Sequence, residues 1–296
     1  MIFGRMPWGE AQLTRGFISG TITDASNAVI AGVQVTITNT GTNISRESVT
    51  NELGFYRFVA VEPGNYSVEF KASGFENRRI SSVAVSTTQE VVINQTLTVG
   101  AVTTEVSVVD TPGAELEKTS ATIERTLSDR VVSELPMQVY NLGRDISRLA
   151  LLAPTVNRAS GSNEFAGNGQ RARNNNFMID GVDNNDLSVT LSAARTIPEA
   201  VQEVQIQTTS YSAEFGRNSG VQFSAITKSG TNAYHGEAWD YYRGNWMEPV
   251  SLTNKRTGVN ATPRFVVNQF GGDAGGPIVK GRTFFFSLVI HKMLNV

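Results

Sequence analysis

The strongest constraint on this sequence is a period of two, held in short runs that glycine, proline, asparagine and aspartate repeatedly interrupt. Phe17, Ser19, Thr21 and Thr23 alternate with Ile18, Gly20 and Ile22, and Val33, Val35 and Ile37 alternate with Gln34, Thr36 and Thr38. Side chains on a strand point alternately to its two faces, so this period predicts half-buried strands. Turn signals close the runs at Asp24-Ala25-Ser26-Asn27, Asn39-Thr40-Gly41, Glu62-Pro63-Gly64-Asn65 and Ser73-Gly74. Pro63-Gly64 suits a type II turn, and the strand after it should set Tyr66, Val68 and Phe70 on one face. Strands this closely spaced, with no helix between them, predict a small antiparallel β-sandwich over residues 14–99.

The chain has 296 residues, room for two or three domains, and its 40% hydrophobic and 18% charged content is that of a packable globular protein. A net charge of −2 offers no electrostatic basis for binding nucleic acid, and with no cysteine there is neither a disulfide nor a thiolate metal site. With two histidines, His235 and His291, and no GxSxG, HExxH or P-loop pattern, no enzyme is expected, and no cofactor. The apolar stretch around Phe284 to Ile290 falls far short of the ~20 residues of a membrane-crossing helix, so a membrane role would require a β-barrel. The opening MIFGRMPWGEAQLTRG lacks the apolar core, roughly 7–15 residues long, of a recognisable signal peptide.

Residues 114–230 mix helix and strand and predict an α+β domain. Leu142, Ile146, Leu149 and Ala150 recur at helical spacing, and Ala153-Pro154 ends that helix. Pro198 suits the first turn of a short helix over Ile197 to Val201. Val204, Ile206 and Thr208 form a strand, and Val221, Phe223, Ala225 and Thr227 another, closed by Lys228-Ser229-Gly230. Gly167-Asn168-Gly169-Gln170-Arg171-Ala172 fits a dinucleotide-binding glycine pattern only formally, because no apolar strand precedes it. Asp180, Asp183 and Asp186 could gather oxygen ligands for calcium, but Gly181 comes too early for an EF-hand loop, and a solvated turn is the better reading.

Three further strands are expected at Ala233 to Arg243, Phe265 to Gly276 and Thr283 to Ile290, the last two joined by the short turn Val279-Lys280-Gly281-Arg282. Each is near the ~9–11 residues of a membrane-crossing strand. Tyr234, Trp239, Tyr241 and Tyr242 suit an interfacial aromatic girdle, and Phe284, Phe286, Leu288 and Ile290 share a face apt for lipid. Three strands cannot close a barrel, so residues 231–296 are expected to be the start of a truncated one.

Two resemblances join these segments. Gly20, Asp24, Gly32, Val33, Val35, Gly54, Tyr56, Phe58, Pro63, Gly64, Tyr66, Val68 and Gly74-Phe75 resemble a carboxypeptidase-regulatory-like domain, which shares the carbohydrate-binding-like fold. Asn27-Ala28 stands where that family has a turn glycine, and asparagine also accepts the left-handed conformation. None of Trp8, Trp239 and Trp246 lies in this segment, and Tyr56 and Tyr66 read as core residues, so a sugar platform is the weaker reading. Leu135-Pro136, Leu149 to Pro154, Gly169-Gln170-Arg171, Asn174 to Gly181, Pro198 to Ile206 and Gly216 to Gly230 resemble the plug of an Oar-like TonB-dependent outer-membrane receptor. Asn268 to Gly272, Gly275 to Pro277 and Thr283 to Phe286 resemble the opening strands of its barrel.

The resemblance implies a mainly β protein of the outer membrane, with a plug seated in a barrel of about 22 strands. TonB would engage a box in the linker 100–113, for which Glu105, Val106, Ser107, Val108 and Val109 are the candidate, by β-augmentation. The stretch carrying Asn174, Asn175, Asn176, Asp180, Asp183 and Asp186 would be a plug loop facing substrate or barrel wall. The implied partners are TonB, outer-membrane lipid and a solute such as a carbohydrate or peptide, with no nucleic acid. Because the tail after Leu288 departs from the family, the chain is expected to be an N-terminal fragment of such a receptor. The alternative is a secreted or surface adhesion protein, carbohydrate-binding through its sandwich.

Overall fold

The computed structural model describes residues 15–87, 90–100, 104–105, 123–135, 137, 144–159, 164–186, 188, 191–211, 215, 218–250, 252–258 and 264–295. The first domain contains β1 (Gly16–Asp24), β2 (Gln34–Asn39), β3 (Ser45–Val49), β4 (Phe55–Val61), β5 (Gly64–Lys71), β6 (Arg78–Val85), β7 (Glu90–Val92), β8 (Gln95–Leu97) and β9 (Thr104–Glu105). One sheet runs β4-β1-β7, with β8 also on β1, and the other runs β3-β2-β5-β6-β9. The core of this sandwich is antiparallel as expected, but β7 and β8 join β1, and β9 joins β6, in parallel. Ile18, Ile22, Val35, Tyr56, Phe70 and Val68 are buried between the sheets. Tyr56 meets Phe58 and Phe70 edge-to-face at 6.1 and 5.9 Å, and its hydroxyl donates to the Ile93 carbonyl at 2.9 Å. That bond satisfies a polar group deep in an apolar core, where burial also raises the phenol's pKa.

Asn27 takes a φ of 64°, the left-handed conformation expected of it in place of glycine. The type II turn at Pro63-Gly64 does not form. Gly64 has a φ of 153°, not the ~+80° of that turn, and it already begins β5.

The middle domain contains β10 (Ile123–Ser128), α1 (Asp129–Glu134), β11 (Val156–Arg158), β12 (Phe165–Gly167), β13 (Asn176–Ile179), β14 (Val182–Asp183), β15 (Val201–Thr209) and β16 (Gln222–Thr227). Its main sheet is ordered β10-β15-β16-β13-β14. The helix expected before Ala153 is a 3-10 turn over Ile146–Leu152, and Leu142 lies outside the described residues. Asp145 starts the turn by accepting from the Ser147 N–H at 3.0 Å, and Ala153, before proline, is extended (ψ 146°). Pro198–Ala200 is likewise a 3-10 turn. Ile146, Leu149, Phe165, Phe177, Val204 and Phe223 belong to a second core, separate from that of the sandwich.

The last domain has β17 (Ala238–Gly244), α2 (Leu252–Arg256), β18 (Val266–Val279) and β19 (Thr283–Asn295), with the strands in an antiparallel sheet β17-β18-β19. The turn at 280–282 is tight, with Gly281 at a φ of 69°. β19 stays paired with β18 to Asn295, well beyond the expected end at Ile290.

The sides of this sheet correct one expectation. Tyr241 packs against Arg144 of the middle domain and stands opposite Gln269, which stands opposite Lys292, whose ammonium lies in electrostatic range of Arg195. By strand alternation, Phe284, Phe286, Leu288 and Ile290 share the side of Lys292. That side faces the middle domain, whereas Phe285, Val289, His291 and Met293 face outward. Sequence alternation shows which residues share a face, but not which way the face points.

Candidate functional site

The stretch expected as a plug loop is largely a β-hairpin. Asp180 and Gly181 have φ values of 50° and 78°, as a type I′ turn requires of both central residues. The Asp180 carboxylate accepts from the Thr227 N–H and hydroxyl, both at 2.8 Å, tying the hairpin to the end of β16. Asn175 and Asn176 are buried. Asn175 donates to the Phe165 carbonyl at 2.8 Å and accepts from the Val221 N–H at 3.1 Å, whereas Asn176 accepts from Asn185 Nδ2 at 2.6 Å. Asp183 accepts from the Asn185 N–H at 2.8 Å, and Asp186 accepts from the Ser188 N–H at 2.7 Å. Asn174 is half-buried and donates to Gln170 at 2.9 Å. The three aspartates thus accept from different residues, and among the described residues no three acidic or histidine side chains gather as a metal cluster.

Of the candidate TonB box, Glu105 lies in β9, its backbone aligned with Arg79 on the edge of β6. Val106 to Val109 lie outside the described residues.

The junctions between domains carry polar groups that local sequence did not single out. Arg144 and Glu199 form an ion pair buried within the middle domain, and the Tyr241 ring of β17 covers it, 4.1 Å from the guanidinium carbon. A buried charge pair of this kind needs such covering and pairing to be tolerable. On β15, Val204 and Ile206 point into the core, while Glu203, Gln205 and Gln207 alternate with them yet are also buried. The Glu203 carboxylate accepts from the Thr87 N–H of the sandwich at 3.0 Å, and Gln205 Nε2 donates to the Thr87 carbonyl at 3.0 Å. Gln205 and Gln207 also donate to Glu124 of β10 at 3.2 and 3.1 Å. Burial pushes the Glu203 carboxyl above the ordinary carboxylate range, against the opposing pull of hydrogen bonds from Thr87 and Ser86. The period of two in Glu203, Gln205 and Gln207 is visible in the sequence, but their burial depends on what covers that face.

Residues 17–98 match the carboxypeptidase regulatory-like domain, and residues 226–289 match an outer membrane beta barrel domain. The chain is 29% identical over 284 residues to the TonB-dependent transporter Oar of Myxococcus xanthus, covering 91% of this chain and 26% of that protein's length. Among solved structures, it is similar to the siderophore receptor PirA from Acinetobacter baumannii at 18% identity and TM-score 0.41, covering 57% of this chain and 24% of that one. It is also similar to the alcaligin outer membrane receptor FauA from Bordetella pertussis at 14% identity and TM-score 0.43, covering 60% of this chain and 27% of that one. The first of these relatives is a transporter. The barrel-domain match and the transporter relative give the outer membrane as the location. The chain is a homologue of TonB-dependent transporter Oar, with a carboxypeptidase regulatory-like domain toward one end and an outer membrane beta barrel domain toward the other.

Proposed function

We propose that the chain is the amino-terminal part of a TonB-dependent outer-membrane receptor, comprising a sandwich extension, a plug and the first barrel strands. The intact receptor would import a solute, of carbohydrate or peptide class, when TonB acts on the plug. The observation that carries this reading is the sidedness of the β17-β18-β19 sheet. Its inner face packs on the middle domain through Tyr241, and its outer face exposes Val289, Met293 and Phe270. Aromatic residues flank that outer face. Tyr242 stands opposite Asn268 near one end, and Tyr234 lies against Gly276, opposite Phe285, near the other. From Asn268 to Gly276 is ~27 Å along a strand, or ~19 Å of depth at a tilt of about 45°, about three quarters of the ~25 Å apolar band of an outer-membrane barrel.

In this reading Glu105 to Val109 is the handle to which TonB adds a strand, and the hairpin carrying Asn174 to Asp186 helps hold the plug closed. Because the chain has no cysteine, a single cysteine at Ser107 reports on TonB directly by cross-linking in cells. Val108→Pro removes a main-chain donor from the box and should abolish import while leaving the protein in the outer membrane. Absence of the cross-link, together with unimpaired import by the proline variant, would overturn the assignment of the box.

A further inference from the structure

We propose that the sandwich acts as a staple that holds the plug to the barrel, gripping the plug through the Thr87 peptide and the barrel through Asn232. This rests on the reading of the middle domain as a plug. One grip is the clamp already described, in which the Glu203 and Gln205 side chains take the N–H and the carbonyl of the same sandwich residue. A weaker contact beside it runs from Gln202 Nε2 to the Pro63 carbonyl at 3.4 Å.

The other grip is Asn232, which bonds in two directions. Its N–H donates to the Gly41 carbonyl at 2.9 Å and its Nδ2 donates to the Thr42 carbonyl, both in the sandwich turn that follows β2. Its Oδ1 accepts from the Gly281 N–H at 2.8 Å, in the hairpin between β18 and β19. Thr231 packs its methyl group toward Gly41 beside these bonds. Nearby, Gly230 passes so close to the barrel backbone that a Cβ there would stand 2.8 Å from the Gly276 carbonyl oxygen. The sandwich is therefore bonded both to the element that must move in transport and to the barrel, which stays fixed. The chain that joins sandwich to plug carries the proposed TonB handle, so a pull on it bears on the Thr87 clamp as well as on β10 of the plug sheet. Because the clamp reads main-chain groups, it can release and re-form without any specific side chain at position 87.

Three amides report on the staple in the whole chain held in detergent micelles: Thr87 for the plug grip, residue 232 for the sandwich turn and Gly281 for the barrel turn. Hydrogen exchange is measured on wild type, on Gln205→Ala and on Asn232→Asp. The aspartate keeps the acceptor for Gly281 but loses the donor to Thr42. A staple opens as one body, so Gln205→Ala should speed exchange about tenfold at both Thr87 and residue 232, the effect of about one lost hydrogen bond. Asn232→Asp should do the same at both while Gly281 stays protected. If each substitution affects only its own amide, the contacts are independent and the proposal is overturned. Amides inside β2 and β5 are the control for sandwich folding. Should a variant unfold the sandwich, wild type in mild denaturant decides: a common opening of Thr87 and residue 232 sustains the staple, and separate openings refute it. Neither measurement requires transport, so a failed staple is distinct from a failed receptor assignment.

Discussion

At the scale of single residues, Glu203 links the contact between the sandwich and the middle domain to pH. Its pKa in the docked state is raised above its ordinary 4.5, so the docked state binds a proton more tightly than the open one. Docking is then strongest below about pH 4.5 and weakens as pH rises through the raised value. The groups facing the carboxyl are Thr87 and Ser86 of the sandwich and, through Gln205, the carboxylate of Glu124 on β10. Glu203→Gln keeps an acceptor for the Thr87 N–H and should flatten this dependence; urea midpoints taken from about pH 4 to about 8 would show the same slope in both proteins if Glu203 were not responsible. Arg144 is held by a different balance. Arg144→Ala leaves Glu199 charged, buried and unpaired and should destabilise the middle domain by about 3–5 kcal/mol. Tyr241→Leu, which removes the ring over the guanidinium together with the hydroxyl beside Glu199, should cost about 1–2 kcal/mol. Denaturant unfolding distinguishes the two, and equal losses would mean that the ring, not the pairing, holds the site.

At the scale of elements, β19 shows how far a pattern can be read. The alternation of Phe284, Phe286, Leu288 and Ile290 was legible and correct as a shared face. Its assignment to lipid was not, because alternation alone does not say which side of the strand meets the middle domain. Val289 is 70% exposed on the outer side, whereas Ile290 is 37% exposed on the inner side. In the intact receptor in lipid, Val289→Arg should cost about 2–4 kcal/mol, and Ile290→Arg should cost less, since its side chain does not meet hydrocarbon. The reverse order in a refolding titration would restore the lipid assignment. The hairpin at Asp180-Gly181 teaches the complementary lesson. An Asp-Gly pair is among the strongest local turn signals, yet strands as short as β13 and β14 are hidden in a run of asparagines whose β propensity is low.

At the scale of the whole molecule, two separate apolar cores imply two folding units. The sandwich core, centred on Tyr56, Phe70 and Val68, does not share a cluster with the middle-domain core around Phe177 and Phe223. A fragment of residues 15–100 should therefore fold alone and unfold in one cooperative step. Phe70→Ala in it should cost about 3–5 kcal/mol. Calorimetry of the fragment tests this, and a transition without cooperativity would mean that the sandwich depends on its docking contacts.

The sequence by itself determined the class and order of the units. Period-two runs between Gly, Pro and Asn turns require strands wherever they fall, and Val35, Tyr66, Val68 and Phe70 occupy the buried face that their alternation assigned. Asn27 and the Ala153-Pro154 stop were likewise settled by local backbone preference. The junctions were decided only in three dimensions. Thr87 and Gln205, or Gly41 and Asn232, lie far apart in the chain, and nothing local marks either partner. Whether a polar residue such as Glu203 faces water or another domain depends on what is brought against it, and that is a property of the packed molecule.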